Sequence, residues 1–178
     1  MTSQREFAMR NAAADDGMTL VEVMAALALL LVLMAGLMSV SSMALKLTEN
    51  QGNLAARTTE YAQDKMEQLL GLVWGDNSTD TTVFPAVNGA GTGLAVGGNS
   101  NPAAPAAGYV DYLDQSGNLL VAGAGGAAPA GWFYERVWQV TNPSLNLKQI
   151  TVTSTVRWGF GGSMAPVSTV TALKTWPF

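Results

Sequence analysis

Residues 23–45 form 23 consecutive positions without a charge. They are almost all Leu, Ala, Met and Val, with Gly36 and the late serines Ser39, Ser41 and Ser42 as the departures. A helix needs about 20 apolar residues to cross a bilayer, so this run is long enough to anchor the chain. One carboxylate, Glu22, stands at its leading edge, and a polar segment of 17 residues with Arg5, Glu6, Arg10, Asp15 and Asp16 precedes it. A secretory signal has an apolar core of about 7–15 residues that ends at a small-residue cleavage site. Here the core is longer and no such site ends it. The processing candidate lies ahead of the run, at Gly17. A cut there removes a polar leader and leaves the whole anchor on the mature chain.

The remainder reads as the cargo of that anchor. The chain has 178 residues, enough for one ordinary domain beside the anchor. It contains no Cys and no His, which removes thiol chemistry, disulfides, histidine acid–base catalysis and the common zinc sites. No cofactor is expected. The net charge is −4 and no Lys or Arg occurs between Met66 and Glu135. Nucleic-acid binding needs clustered cations, and the few here are scattered, so no nucleic-acid partner is expected.

Residues 46–73 continue as an amphipathic helix. Leu47, Leu54, Tyr61, Met66, Leu69, Leu70 and Val73 recur at spacings of three, four and seven, which is one apolar face. Glu49, Arg57, Glu60, Asp64, Lys65 and Glu67 are assigned to the wet side. No proline interrupts residues 18–73, so one long helix is expected, about 80 Å if straight. It ends near Gly71 to Gly75, where Trp74 is expected to pack. Twelve of the nineteen glycines fall in residues 75–131, which argues for loops and short strands. Residues 102–108 and 122–131 read as exposed loops. Between them, Tyr109 to Val121 reads as a hairpin with its turn at Gln115-Ser116-Gly117-Asn118. The C-terminal part carries the clearest strand signal. Residues 132–140 are aromatic and β-branched, and Ile150, Val152, Val156 and Trp158 alternate with Thr151, Thr153, Thr155 and Arg157. A third strand is expected over residues 167–176, with connectors at Asn142-Pro143-Ser144 and residues 159–166.

The sequence Gly17-Met18-Thr19-Leu20-Val21-Glu22-Val23, followed by an apolar helix, resembles the leader junction of type IV pilins and pseudopilins. The resemblance implies that an inner-membrane prepilin peptidase cuts Gly17–Met18 and that Met18 becomes the N-methylated first residue. Most of the family has Phe there; Met occurs in some minor pilins and pseudopilins. The acidic pair Asp15-Asp16 also departs from the family's basic leaders. Residues 59–69 resemble the distal helix of minor pilins. Tyr134, Arg136, Trp138 and Val140, followed by Lys148, Ile150 and Val152, resemble the C-terminal sheet of PilV-type minor pilins. Together these imply an α+β pilin fold, a long N-terminal helix packed on a small antiparallel β-sheet. The expected parts are a leader at 1–17, a membrane half-helix at 18–45, a distal half-helix at 46–74, variable loops at 75–131 and the sheet at 132–178. The implied function is that of a minor pilin, a structural subunit and not an enzyme. It would sit in the inner membrane with its C-terminal domain in the periplasm and then enter a pilus. Its implied partners are prepilin peptidase, the major and other minor pilins and the inner-membrane assembly platform. A minor pseudopilin of a type II secretion system and an unprocessed membrane-anchored binding domain are the alternatives.

Glu22 is the residue with chemistry to explain. A charged side chain at mid-membrane costs about 2.5–3.5 kcal/mol on insertion scales, and less near the boundary. Cleavage after Gly17 creates a cationic amine on Met18, four residues away, and the first turn of a helix favours an anion. The resemblance implies that Glu22 meets the amine of a neighbouring subunit and so registers assembly. An ordinary single-pass anchor can also carry a Glu at its edge. Asp76 with Asp80, and Asp111 with Asp114, lack the spacing and number of acids that a calcium loop needs and read as solvated turn residues, so no metal ligands are assigned. Trp132, Phe133, Tyr134 and Trp138 read as core and sheet packing rather than a stacking platform.

Overall fold

The structure, a computed structural model, describes residues 18–77, 92–159 and 165–176. A helix, α1, runs from Leu20–Gly71. Among the described residues six strands follow, β1 (Gly97–Gly98), β2 (Val110–Leu113), β3 (Leu119–Leu120), β4 (Tyr134–Ser144), β5 (Leu147–Val156) and β6 (Val167–Thr175), with a 3₁₀ turn at Ala124–Gly126. The chain divides into two compact units, Met1–Lys46 and Leu47–Phe178. In the first, every described side chain is exposed. Its helix rests on the intrinsic preference of Leu, Ala and Met for that conformation and is long and apolar enough to cross a membrane.

In the second unit, the distal part of α1 buries Thr58, Tyr61, Ala62, Lys65, Met66 and Leu69, alternating steps of three and one along a single stripe. Ala62, Met66 and Leu69 enter one core with Trp138, Val140, Ile150 and Val152; each large apolar side chain so buried contributes about 1.5–3 kcal/mol. Val73, expected on this face, is 75 % exposed because α1 has already ended. Trp74 is buried and stands edge-on to Trp176, with ring centroids 5.6 Å apart.

The sheet is antiparallel in the order β3-β2-β4-β5-β6, with β1 paired to the far part of β4. Its β4–β5 turn is Leu145-Asn146, between the paired residues Ser144 and Leu147. The expected connector, Asn142-Pro143-Ser144, instead belongs to β4. The register shifts between Thr141 and Ser144, and this irregularity accommodates Pro143, which has no N–H to donate to a ladder. The predicted turn at 115–118 is present. The Asp114 carboxylate accepts from the Ser116 and Asn118 amides, both at 2.8 Å, and from Asn118 Nδ2 at 2.9 Å. The Asn118 bonds, side chain then backbone, hold that carboxyl below its ordinary value. Gly117 has φ +86° here, and a Cβ on it would strike the Tyr61 hydroxyl.

Tyr134, Arg136, Trp138 and Val140 of β4 share the helix-facing side with Ile150 and Val152 of β5 and, through the register, with Val170 and Ala172 of β6. The hydroxyls of Thr58 and Thr59 meet Ser168 Oγ at 3.1 and 2.8 Å, and Lys174 Nζ donates to the Leu70 and Leu72 carbonyls, the latter at 2.6 Å. About a dozen helical residues at 1.5 Å and six strand residues at 3.3 Å both cover roughly 20 Å, so the distal helix and β6 run in the same direction. On the other face, Val110, Tyr112, Ala122 and Val137 form a second small core with Trp132, and the Tyr112 hydroxyl donates to the Gly126 carbonyl at 3.0 Å. Part of the stretch read as an exposed loop, 122–131, is therefore buried at Ala122 and Gly126. Its small residues allow the backbone to lie close against the sheet.

The joint between helix and sheet is ionic. Asp111 Oδ1 accepts from Arg136 Nε at 2.6 Å, and Asp111 Oδ2 accepts from Arg136 Nη2 at 2.9 Å and lies 2.8 Å from Lys65 Nζ. Arg136 Nη1 reaches the half-exposed Asp64 at 2.8 Å. The Lys65 ammonium also sits 4.1 Å from the Trp138 ring centroid. The Lys65, Asp111 and Arg136 side chains are 2–6 % exposed. Two expectations are corrected here. Lys65 is not on the wet side, and Asp111 is not a solvated turn residue. Burial pushes the Asp111 carboxyl up, but the Arg136 and Lys65 charges outweigh it and hold it below its ordinary value. Burial lowers Lys65, with Asp111 opposing.

The end of α1 lacks a basic residue of its own in its last turn, where exposed carbonyls favour cations. Lys148 and Lys174, paired across β5 and β6, supply them from the sheet. Lys148 Nζ donates to the carbonyls of Trp74 at 2.7 Å and Leu94 at 2.8 Å, and Lys174 takes those of Leu70 and Leu72.

Removing the shared anion leaves two buried cations facing each other. Asp111→Asn should cost about 3–5 kcal/mol in urea unfolding at neutral pH, well beyond the cost of Asp64→Asn. Because Asp111 is depressed on folding, its stabilisation is present above the unfolded carboxyl value near 3.9 and is lost as pH falls through the lower folded value. The difference between wild type and Asp111→Asn should therefore narrow below about pH 4. A second expectation concerns Ser154, fully buried, whose hydroxyl has no partner among the described residues. Ser154→Ala should leave the melting temperature unchanged or raise it, by up to about 1 kcal/mol in stability.

Candidate processing and assembly site

α1 begins two residues after Met18 because Thr19 caps it. The Thr19 Oγ1 accepts the Glu22 amide at 3.3 Å, and the Thr19 carbonyl accepts the Val23 amide at 3.1 Å. Thr19 and Glu22 thus stand at the Thr-x-x-Glu spacing of a helix start, a signal present in the sequence but not used above for the helix boundary. The cap satisfies one of the four free N–H groups of the first turn. Glu22 lies in that first turn, where the positive end of the helix favours its carboxylate.

Met18, Leu20 and Val21 are 70, 77 and 74 % exposed, and Glu22 is exposed beside them. No described cation lies within ion-pair distance of the Glu22 carboxylate. The structure therefore brings Met18, Thr19 and Glu22 together at one helix end. Gly17 lies outside the described residues, as do Asp15, Asp16 and Asp80. The other acids considered are placed elsewhere: Asp111 is in the ionic joint, Asp114 closes a turn, and Asp76 follows the end of α1. Of the four aromatics, Tyr134 and Trp138 are buried, while Trp132 and Phe133 are half-buried.

What this end can do is set by its surroundings. A chain cut before Met18 presents a cationic amine one turn from an anionic Glu22, both at the head of an apolar helix. Within one helix the amine and the carboxylate share the positive end of the dipole; between helices they are complementary charges, strengthened by a medium of low dielectric.

Residues 13–38 match the family model described as the prokaryotic N-terminal methylation motif. The match holds Gly17, Met18, Thr19 and Glu22 together with the first part of the apolar helix. No curated protein and no solved structure matches the chain. The motif, with a long N-terminal apolar helix whose distal part packs on an antiparallel sheet, supports a type IV pilin-like family, either pilin or pseudopilin.

Proposed function

We infer that the chain is the precursor of a minor pilin, a subunit of a type IV pilus, most similar to the PilV type. The observation that carries this reading is the methylation motif at 13–38 running directly into an uncharged, membrane-length helix. Prepilin peptidase removes residues 1–17 and methylates Met18. The anchor, residues 18–45, holds the subunit in the inner membrane with the C-terminal domain in the periplasm. The distal helix, 46–74, carries the loops 75–131 and the sheet 132–178. Assembly places Glu22 against the Met18 amine of a neighbouring subunit. Methylation leaves that amine secondary and still protonated, so the pair survives it. The partners are the assembly platform, the major pilin and other minor pilins.

A second reading, a minor pseudopilin of a type II secretion system, is equally compatible with Met18 in the place of Phe, which occurs in some minor pilins and in some pseudopilins. Deleting the gene separates the two, because a pilus subunit changes piliation and a pseudopilin changes protein secretion.

Mass spectrometry of the protein from membranes should show a chain beginning at N-methylated Met18. Gly17→Val should leave an uncut precursor. An intact leader in wild-type cells would favour an unprocessed anchored domain, and normal cutting of the variant would place the junction elsewhere. Glu22→Ala should be inserted and cut normally, yet be depleted at least several-fold from sheared filaments. Equal recovery of variant and wild type would remove the pairing role.

A further inference from the structure

Side chains alternate between the two faces of a strand, and on β5 that rhythm would carry Trp158 to the helix-facing side with Val152 and Val156. The strand ends at Val156, and Trp158 is 61 % exposed instead. Arg157, the residue before it, is exposed too. The Arg157 amide donates to the Phe133 carbonyl at 2.8 Å, one step past the ends of β4 and β5. Its guanidinium carbon lies 4.4 Å from the Trp158 ring centroid and 5.1 Å from that of Trp132, both within the reach of a cation–π contact. Trp132 is in turn held edge-on to Tyr112, with centroids 5.6 Å apart, in the small core on the face of the sheet away from α1.

The other cations of the sheet have partners inside the protein. Arg136 is in the ionic joint, and Lys148 and Lys174 hold carbonyls around the end of α1. The Arg157 guanidinium has neither an ion pair nor a hydrogen bond among the described residues. The connector that follows, residues 159–166, contains no Asp or Glu. Glu135, opposite Thr155 on the face that Arg157 shares, is buried and makes no ion pair with it. An arginine held against aromatic rings still has the N–H groups at the edge of its plane, and these match a carboxylate in two parallel bonds.

Beyond Arg157 the same face of β5 and β6 continues in hydroxyls. Thr155, Thr153 and Thr151 take alternate positions of β5, with Thr169 and Thr171 beside them on β6. The Thr153–Thr169 and Thr151–Thr171 oxygens are 3.0 and 3.3 Å apart. No charged residue of β5 or β6 lies on this face.

We propose that Arg157 and Trp158 bind a uronic-acid residue of an acidic polysaccharide. The guanidinium takes the carboxylate, the exposed indole takes the C–H face of the sugar ring, and the threonines lie beside them for the hydroxyls of the sugar chain. Trp132 is a positioning residue that holds the guanidinium in place. The charge pattern selects this class of ligand. A single-stranded nucleic acid is bound by a groove of cations along its backbone, and here one free cation stands on a chain of net charge −4. Arginine and tryptophan also anchor protein interfaces, but such hot spots are poor in threonine, and threonine is what adjoins this pair. One cation, one bare ring and a field of neutral hydroxyls fit a sugar with one carboxylate per ring. The site lies wholly within the unit Leu47–Phe178 and does not depend on processing at Gly17.

Full-length protein in detergent micelles can be titrated by calorimetry with oligomers of galacturonate and of mannuronate. It should bind at least one of them, and should bind the methyl ester of the same oligomer about tenfold more weakly or worse, since the ester loses the charged hydrogen bonds. Arg157→Gln should weaken binding of the acid by about tenfold and remove the difference between acid and ester. Arg157→Lys keeps the charge without the fork and should fall between. Trp158→Ala should weaken acid and ester alike. Both side chains are exposed, so these variants should melt with the wild type. No binding of either uronate at millimolar concentration, equal binding of acid and ester, or an unchanged affinity in Arg157→Gln would each overturn the site. Tighter binding of oligo-dT or of polyglutamate than of the uronates would overturn it as well, and would assign the pair to a nucleic acid or to a protein partner.

Discussion

One carboxylate shared by two cations holds helix and sheet in a single arrangement. Asp111, on β2, receives the Arg136 fork from β4 and the Lys65 ammonium from α1. Apolar packing between a helix and a sheet is tolerant: methylenes slide over one another at little cost. A buried ion triad is not, because any shift that lengthens a contact leaves charge unsolvated in a medium of low dielectric. Net stabilisation from such a group is modest once desolvation is subtracted, and its larger effect is to select one rotation and one height of the helix. The Trp138 ring beneath Lys65 adds to the same selection. The apolar cluster of Met66, Leu69, Ile150 and Val152 then supplies the bulk of the favourable free energy around a geometry already chosen.

This joint was the least legible part of the sequence. Hydrophobic periodicity marks Tyr61, Met66 and Leu69 correctly, since apolar side chains declare their face by their own chemistry. A lysine does not. Lys65 lies on the buried stripe by position, between Ala62 and Met66, yet its charge argues for water until Asp111 and Arg136 are brought to it from distant strands. Asp111 is hidden for the same reason: alone beside Asp114 it resembles turn chemistry, and only strand pairing with Arg136 reveals its role. Local features fared better. The turn closed by Asp114 and Asn118 and the strands β5 and β6 follow from near neighbours. The expected β4–β5 turn lies two or three residues early because proline ordinarily marks a connector, whereas here it sits where the ladder's register shifts.

The Gly/Ala-rich stretch was opaque for a different reason. Small residues carry little propensity and no periodicity, so their sequence is silent about whether they are exposed or pressed against something. Ala122 and Gly126 cover the second face of the sheet because they are small. The head of α1 is the opposite case. Gly17, Met18, Thr19 and Glu22 form a short, strongly patterned junction, and the family match falls on it. The helix cap at Thr19 adds a physical reason why the helix starts at Leu20: the chain is already turned into helix before the apolar run begins.

The paired lysines Lys148 and Lys174 give the distal helix a second fixed point. Lys65 sets its rotation in the ionic joint, and the carbonyls of Leu70, Leu72 and Trp74 are seated on the two ammonium groups at the other. Each inserted or deleted residue between these points would turn the helix by about 100° and slide it 1.5 Å, so both seatings could not be kept. The segment from Lys65 to Leu70 behaves as a gauge block, cut to one length by fittings at its two ends. Chains built on this plan are free to vary in the number of residues in their connecting loops, but not in this half-dozen residues of helix.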